Sequence, residues 1–221
     1  KQNNYELIAQ NKNNFIKFLN FKNFENFPFL SFLDLIFLKK QWIKYMRIKP
    51  TKFKDLKIVY SPVYKDKRGY FKELFKYKFF SQKKFVFTCI SSSKKNVLRG
   101  LHLQTRFPQG KYLSVIKGKI FDVAIDLRKK SKTFGKCFSI QLSDKNGFSI
   151  YIPEGFAHGF VGLEKENIVS YHCTNYRSKN HEIGINWNDP DLKINWPNKK
   201  FILSKKDKEN ISFKKYLDSY G

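Results

Sequence analysis

From Met46 onward the sequence predicts an all-β fold, a double-sheet jelly roll with a few short helices. Three observations predict it: short runs of alternating apolar residues, turn chemistry at close intervals between them, and helical signals confined to two places. The clearest run sets Phe121, Val123, Ile125 and Leu127 against Asp122, Ala124 and Asp126, the period of two that a strand imposes on its side chains. Lys117-Gly118 precedes it as a hairpin turn. Phe138, Ile140 and Leu142 alternate next and lead into Asp144-Lys145-Asn146-Gly147, a second turn before a strand from Phe148 to Ile152. Val169, Tyr171 and Cys173 alternate again. The helical signals lie around Phe71 to Phe80 and after Ser204, and no internal repeat is visible.

The 221 residues suffice for one domain with a substantial core. Residues 1–45 are rich in Asn, Lys and Phe and follow no clean period, and Met46 is the only methionine. They read as an extension of unknown role, outside a functional unit of residues 46–221. The competing reading is an accessory helix from Phe27 to Met46. Lys and Arg number 44 against 18 acidic residues, a formal charge of +26 that draws the protein towards anions. Only six of those cations are arginine, and the lysines are scattered among Asn, Phe and Ile, which fits a solvated surface better than a nucleic-acid-binding face. Cys89, Cys137 and Cys173 are odd in number and lack CxxC spacing, so neither a disulfide framework nor a zinc site is indicated, and a cytoplasmic setting is expected. The apolar run from Phe27 to Leu38 is interrupted by Pro28, Ser31 and Asp34 and is too short to span a bilayer, so no membrane association is expected.

The informative strings are Asp66-Lys67-Arg68-Gly69-Tyr70-Phe71-Lys72-Glu73, Val97-Leu98-Arg99-Gly100-Leu101-His102-Leu103-Gln104 and Gln109-Gly110-Lys111. They continue with Phe121 to Arg128, Ile152-Pro153-Glu154-Gly155-Phe156-Ala157-His158-Gly159-Phe160, Trp187-Asn188-Asp189-Pro190, Trp196-Pro197, and Leu203-Ser204-Lys205-Lys206-Asp207. Each alone is weak. In this order, from about Met46 to Asp207, they resemble the dTDP-4-dehydrorhamnose 3,5-epimerases.

That resemblance implies a cupin-like jelly-roll barrel, a homodimer, and epimerisation at C3 and C5 of a dTDP-4-keto-6-deoxyhexose without cofactor or metal. Inverting a carbon beside a ketone needs a base, a stabiliser for the enolate oxygen, and an acid on the opposite face. By motif match His102 is the base, suited because neutral imidazole accepts a proton near pH 7. Asp207 orients it, Lys111 stabilises the developing oxyanion, and Tyr171 is the proton donor. The substrate-binding candidates are Arg68, Phe71, Glu73, Arg99, His158, Tyr176, Glu182 and Lys206, with Phe71 a stacking partner for the base. His172 and His181 match no functional position and read as surface residues.

One constraint comes from the residues themselves. Arg99 and His102 are three apart and cannot share a face of a regular strand, so if both line the site the strand bends or bulges at Gly100. Two departures from the family pattern stand out. Phe87-Thr88-Cys89 replaces a polar stretch, and Arg177 follows Tyr176 where the family often has a second tyrosine. Metal-dependent relatives of the barrel would offer two histidines one residue apart, whereas this chain reads His102-Leu103-Gln104. The alternatives are a single-carbon epimerase or a ketoisomerase on a related sugar nucleotide and, from another class, a lysine-rich nucleic-acid-binding module.

Overall fold

The computed structural model describes residues 45–220; residues 1–44, which carry the extension and nearly all of the accessory helix weighed above, lie outside the described residues. A six-stranded sheet runs in the order β1 (Arg47–Pro50), β2 (Lys57–Tyr60), β10 (Phe148–Ile152), β7 (Lys111–Lys117), β12 (Glu166–Cys173), β5 (Phe87–Lys94). A five-stranded sheet runs in the order β13 (Glu182–Gly184), β6 (Leu98–Gln104), β11 (Phe156–Gly162), β8 (Lys119–Asp126), β9 (Cys137–Ser143). β3 (Val63–Asp66) and β4 (Gly69–Lys72) form a separate hairpin. The strand pairings are antiparallel throughout. Two short helices, α1 (Lys205–Lys208) and α2 (Phe213–Tyr220), come late in the chain, where the sequence after Ser204 predicts them.

The two sheets meet across Leu113, Val115, Ile150 and Val169 on one side and Ile120, Ala124, Phe156 and Phe160 on the other. The outer face of the five-stranded sheet carries a second apolar layer, in which Leu101, Leu103, Val123 and Ile125 are covered by Leu192 and by Phe213 and Tyr216 of α2. A third layer buries Tyr112 and Tyr151, from the six-stranded sheet, beneath Phe75, Phe80 and Phe85. Apolar layers therefore pack on both faces of the central strands. The alternation in β8 is present, yet its polar members Asp122 and Asp126 are fully buried.

The third layer explains why Phe71 to Phe80 is not the helix that its residues suggest. The segment begins in β4, contains a single 3-10 turn at Tyr77–Phe79, and is otherwise irregular. That path lets Phe75 and Phe80 each set a ring against Tyr112, at 5.2 and 5.5 Å between centroids, and brings Phe80 to within 5.1 Å of Tyr151. Burying a phenylalanine side chain stabilises by about 1.5–3 kcal/mol. Helix propensity contributes only about 0.7 kcal/mol per residue at most between ordinary residues, so packing decides.

The bend expected at Gly100 is a β-bulge. His102 pairs with His158 and Arg99 with Phe160, so Gly100 and Leu101 together oppose the single residue Gly159. The extra residue shifts the alternation by one, and Arg99 and His102 both line the same cavity. Gly100 has φ +124°, and a Cβ there would lie 2.5 Å from Gly159 Cα. Gly69, in the turn of the β3–β4 hairpin, has φ +135° with nothing within 4 Å of such an atom. Gly69→Ala is therefore expected to cost about 1 kcal/mol of unfolding free energy from backbone conformation alone, and Gly100→Ala more than about 2 kcal/mol because the strands must also separate. Urea unfolding of both variants checks this; equal losses would show that the close approach to Gly159 carries no weight.

Candidate active site

A cavity of about 520 Å³ opens between the two sheets. Its walls bring together His102, Lys111, Tyr171 and Asp207, the four residues expected to carry the chemistry, with Arg99, His158, Glu182 and Lys206 of the expected binding set. His102 comes from β6 in one sheet and Tyr171 from β12 in the other.

The surroundings of His102 are built by a helix start. Ser204 caps α1, its Oγ accepting from Asp207 N at 3.1 Å and donating to Asp207 Oδ2 at 2.8 Å. The other carboxylate oxygen, Oδ1, accepts from His102 Nε2 at 2.6 Å. Asp207 thus bonds Ser204 through one carboxylate oxygen and His102 through the other. Its side chain is only 6% exposed. Burial would raise its pKa, but hydrogen bonds from His102 and Ser204 outweigh that and hold it below the usual carboxylate range. With Nε2 donating to a carboxylate, Nδ1 carries the lone pair that can take a proton.

On the facing wall, the Tyr171 hydroxyl meets Ser91 Oγ at 2.9 Å. Burial and then the charge of Asp122 push this phenol well above its ordinary pKa, against the hydrogen bond with Ser91, so it stays protonated near neutral pH. Lys111, beside Tyr171's strand on β7, is pulled below the usual lysine range by desolvation. An ammonium in so poorly solvated a position interacts strongly with any anion formed beside it. Deeper still, His158 Nε2 donates to Asp122 Oδ2 at 2.8 Å, with both side chains buried.

Glu182 ties the mouth together. Its side chain is 10% exposed; Arg177 donates to it through Nε at 2.9 Å and Nη2 at 3.0 Å, and Lys206 joins it from α1. Burial opposes ionisation, yet the hydrogen bonds from Arg177 and Lys206 bring its pKa down to about 2.

Four expected binding residues do not line this cavity. Arg68, Phe71 and Glu73 belong to the β3–β4 hairpin and its exit: Arg68 pairs with Asp66 at 2.6 Å, Phe71 stacks on Tyr64 at 6.3 Å, and Glu73 pairs with Lys76 at 2.7 Å. Tyr176 stacks on Phe87, a wall residue, at 5.8 Å and 9° between planes. His172 is not a surface residue. It faces away from the cavity, stacked on Phe75 at 4.6 Å and bonded to Thr88. His181 is half-buried, its Nδ1 2.7 Å from Ser178 Oγ. Asp122, Ser91 and Arg177 are absent from the set expected from sequence. Asp122 sits in sequence on the polar side of the β8 alternation, and only the second sheet buries it; Ser91 and Arg177 had no signal beyond the pairing of distant strands.

The chain has known counterparts. Residues 50–215 match the profile of the dTDP-4-dehydrorhamnose 3,5-epimerases. The chain belongs to the dTDP-4-dehydrorhamnose 3,5-epimerase family. The dTDP-4-dehydrorhamnose 3,5-epimerase of Methanothermobacter thermautotrophicus is 47% identical over 158 residues, covering 68% of this chain and 85% of that protein. That of Shigella flexneri is 41% identical over 180 residues, covering 79% and 98%. The crystal structure of the Legionella pneumophila dTDP-6-deoxy-D-glucose-3,5-epimerase in complex with dTDP-4-keto-L-rhamnose is similar at a TM-score of 0.74 and 39% identity, over 80% of this chain and 95% of that one. Among the described residues of this epimerase-family chain, no helix is long and apolar enough to cross a membrane.

The low pKa of Glu182 fixes the sign of a pH effect. A carboxylate whose folded pKa lies below its unfolded value of 4.5 adds stability that is complete above that value and is lost as pH falls towards about 2. The stability difference between the parent protein and Glu182→Gln is accordingly expected to be largest at about pH 5 and above and to shrink towards about pH 2. Thermal unfolding of both proteins across that range measures it, and a difference constant with pH would contradict it.

Proposed function

We propose that the chain epimerises C3 and C5 of a dTDP-4-keto-6-deoxyhexose through enolates, turning dTDP-4-dehydro-6-deoxyglucose into dTDP-4-dehydrorhamnose for surface-polysaccharide synthesis. The observation that carries this reading is the opposition of the His102–Asp207 pair on one sheet to Tyr171 on the other across a single cavity. A sugar ring held between them presents one face to a base and the other to an acid.

His102 removes the proton beside the ketone through Nδ1, and Asp207 stabilises the imidazolium that forms. Charge moves onto the ketone oxygen, where Lys111 meets it; removing one such oxyanion-stabilising group typically costs about 10²–10³ in rate. Tyr171 then delivers its proton to the opposite face, and exchange with solvent resets both groups. Arg99, His158, Glu182 and Lys206 bind the substrate around this centre, with Tyr176 at the rim.

The working unit is a homodimer in which the β3–β4 hairpin of one protomer completes the site of its partner with Arg68, Phe71 and Glu73. Support comes from that hairpin's isolation from the two main sheets and from the exposure of Arg68 (84%) and Phe71 (64%) on it, since a two-stranded hairpin alone is marginally stable in water. The setting is the cytoplasm, a reading supported by the three free cysteines.

Incubation with substrate in deuterated water, read by NMR, is the direct test: label is expected at both C3 and C5, whereas label at one position would favour the single-carbon reading. His102→Ala is expected to lower both exchange and turnover by about 10²–10⁴. Tyr171→Phe is expected to keep wash-in from the base face while losing inversion. Near-normal exchange in His102→Ala would remove it from the role of base.

The dimer has its own test by complementation. His102→Ala and Arg68→Gln, each inactive alone, are expected on mixing and re-association to recover roughly a quarter of the active sites, the fraction in which an intact His102 meets an intact partner hairpin. No recovery, or a fully active monomer by light scattering, would refute the shared site.

A further inference from the structure

We infer that Arg177 is a specificity-determining residue that holds the diphosphate of the nucleotide sugar, an inference that rests on the epimerase reading above. The family often has tyrosine at this position, and nothing in the motif strings assigns the arginine a role.

The cavity wall itself supplies the first part of the case. Its lining has the cations Arg99, Arg177 and Lys206, the desolvated Lys111, and two carboxylates, Glu182 and Asp207. Asp207 is turned towards His102 and Ser204. The β5 wall offers Phe87, Cys89 and Ile90, none of which can neutralise a phosphate. Arg99 is engaged by Ser93 Oγ and the Ser92 carbonyl, whereas at the mouth Arg177 and Lys206 converge on the one carboxylate of Glu182. That local group keeps a net positive charge.

Arg177 is also fixed in advance of any ligand. The residue before it, Tyr176, is stacked on Phe87 and has its carbonyl bonded by Gln104 Nε2 at 3.3 Å. The residue after it, Ser178, donates its amide to Gln104 Oε1 at 2.8 Å. One buried glutamine thus grips the backbone on both sides of Arg177 while Glu182 holds the guanidinium through Nε and Nη2. A guanidinium has five N–H donors. Glu182 uses two, and the remaining three, both on Nη1 and one on Nη2, are the part of the fork suited to phosphate oxygens. A side chain positioned in this way loses little entropy on binding. The substitutions at Phe87 and Arg177 then belong together: the aromatic ring at position 87 gives up polar contacts on β5 and, by stacking on Tyr176, aims the new cation.

The test is calorimetric titration of the full chain and of Arg177→Gln and Arg177→Lys with thymidine and with dTDP, alongside steady-state kinetics. Arg177→Gln is expected to weaken dTDP by about tenfold while changing thymidine affinity by less than about twofold, and to raise KM with kcat nearly unchanged. Arg177→Lys is expected to fall between, keeping the charge without the fork. Unchanged dTDP affinity in Arg177→Gln would overturn the inference. So would equal losses for thymidine and dTDP, which would mark Arg177 as a purely structural partner of Glu182. Failure of the parent protein to bind dTDP at all would overturn the epimerase reading beneath it, an outcome separable from the other two.

Discussion

The extra residue in β6 is the constraint on which the site depends. A regular strand would turn either Arg99 or His102 out of the cavity, into the apolar layer beneath α2. By opposing two residues to Gly159, the bulge keeps both inside. Gly100, within the bulge, is held from a segment more than a hundred residues further along. Its carbonyl accepts from Asn210 Nδ2 at 3.0 Å, and its amide helps hold the charge on Asp207. Bulge, base and orienting carboxylate are therefore one assembly, and a side chain at residue 100 would disturb all three.

Charge in the site is arranged by pairing rather than by accumulation. The protein has a large formal excess of cations, yet the groups around the cavity are set one against another: Asp207 with His102, Asp122 with His158, Glu182 with Arg177 and Lys206. Each carboxylate is buried more deeply than a lone carboxylate would tolerate, and each is bonded by a specific donor. Lys111 is the contrast. Its desolvation leaves its charge poorly satisfied until an anion forms beside it, which is the condition under which electrostatic stabilisation acts on a transition state rather than on a bound substrate.

The strands were legible because their signals are local. Alternation in β8, β9 and β12 and the turns at Gly118 and Gly147 are written within a few residues, and the bulge followed from a spacing of three across a glycine. The segment from Phe71 to Phe80 was misleading for the opposite reason: its aromatic rings are recruited by Tyr112 and Tyr151, far away in sequence, and no local pattern records that demand. The site divides in the same way. His102, Lys111, Tyr171 and Asp207 were reached through ordered strings. The Asp122–His158 pair, the Ser91 contact to Tyr171 and the grip of Gln104 on the backbone around Arg177 depend on which strands become neighbours, and they emerge only with the fold.

The capping arrangement of Ser204 and Asp207 has a further consequence in time. His102 lies in β6, early in the barrel, while its carboxylate arrives 105 residues later, after β13, the last strand. Synthesis proceeds from the N-terminus, and domains fold as they emerge. The strands of both sheets and the facing tyrosine all precede the histidine's partner in chain order. The His102–Asp207 pair thus forms only once the segment after β13 has docked, and local fraying of that segment separates the pair while the strands stay paired.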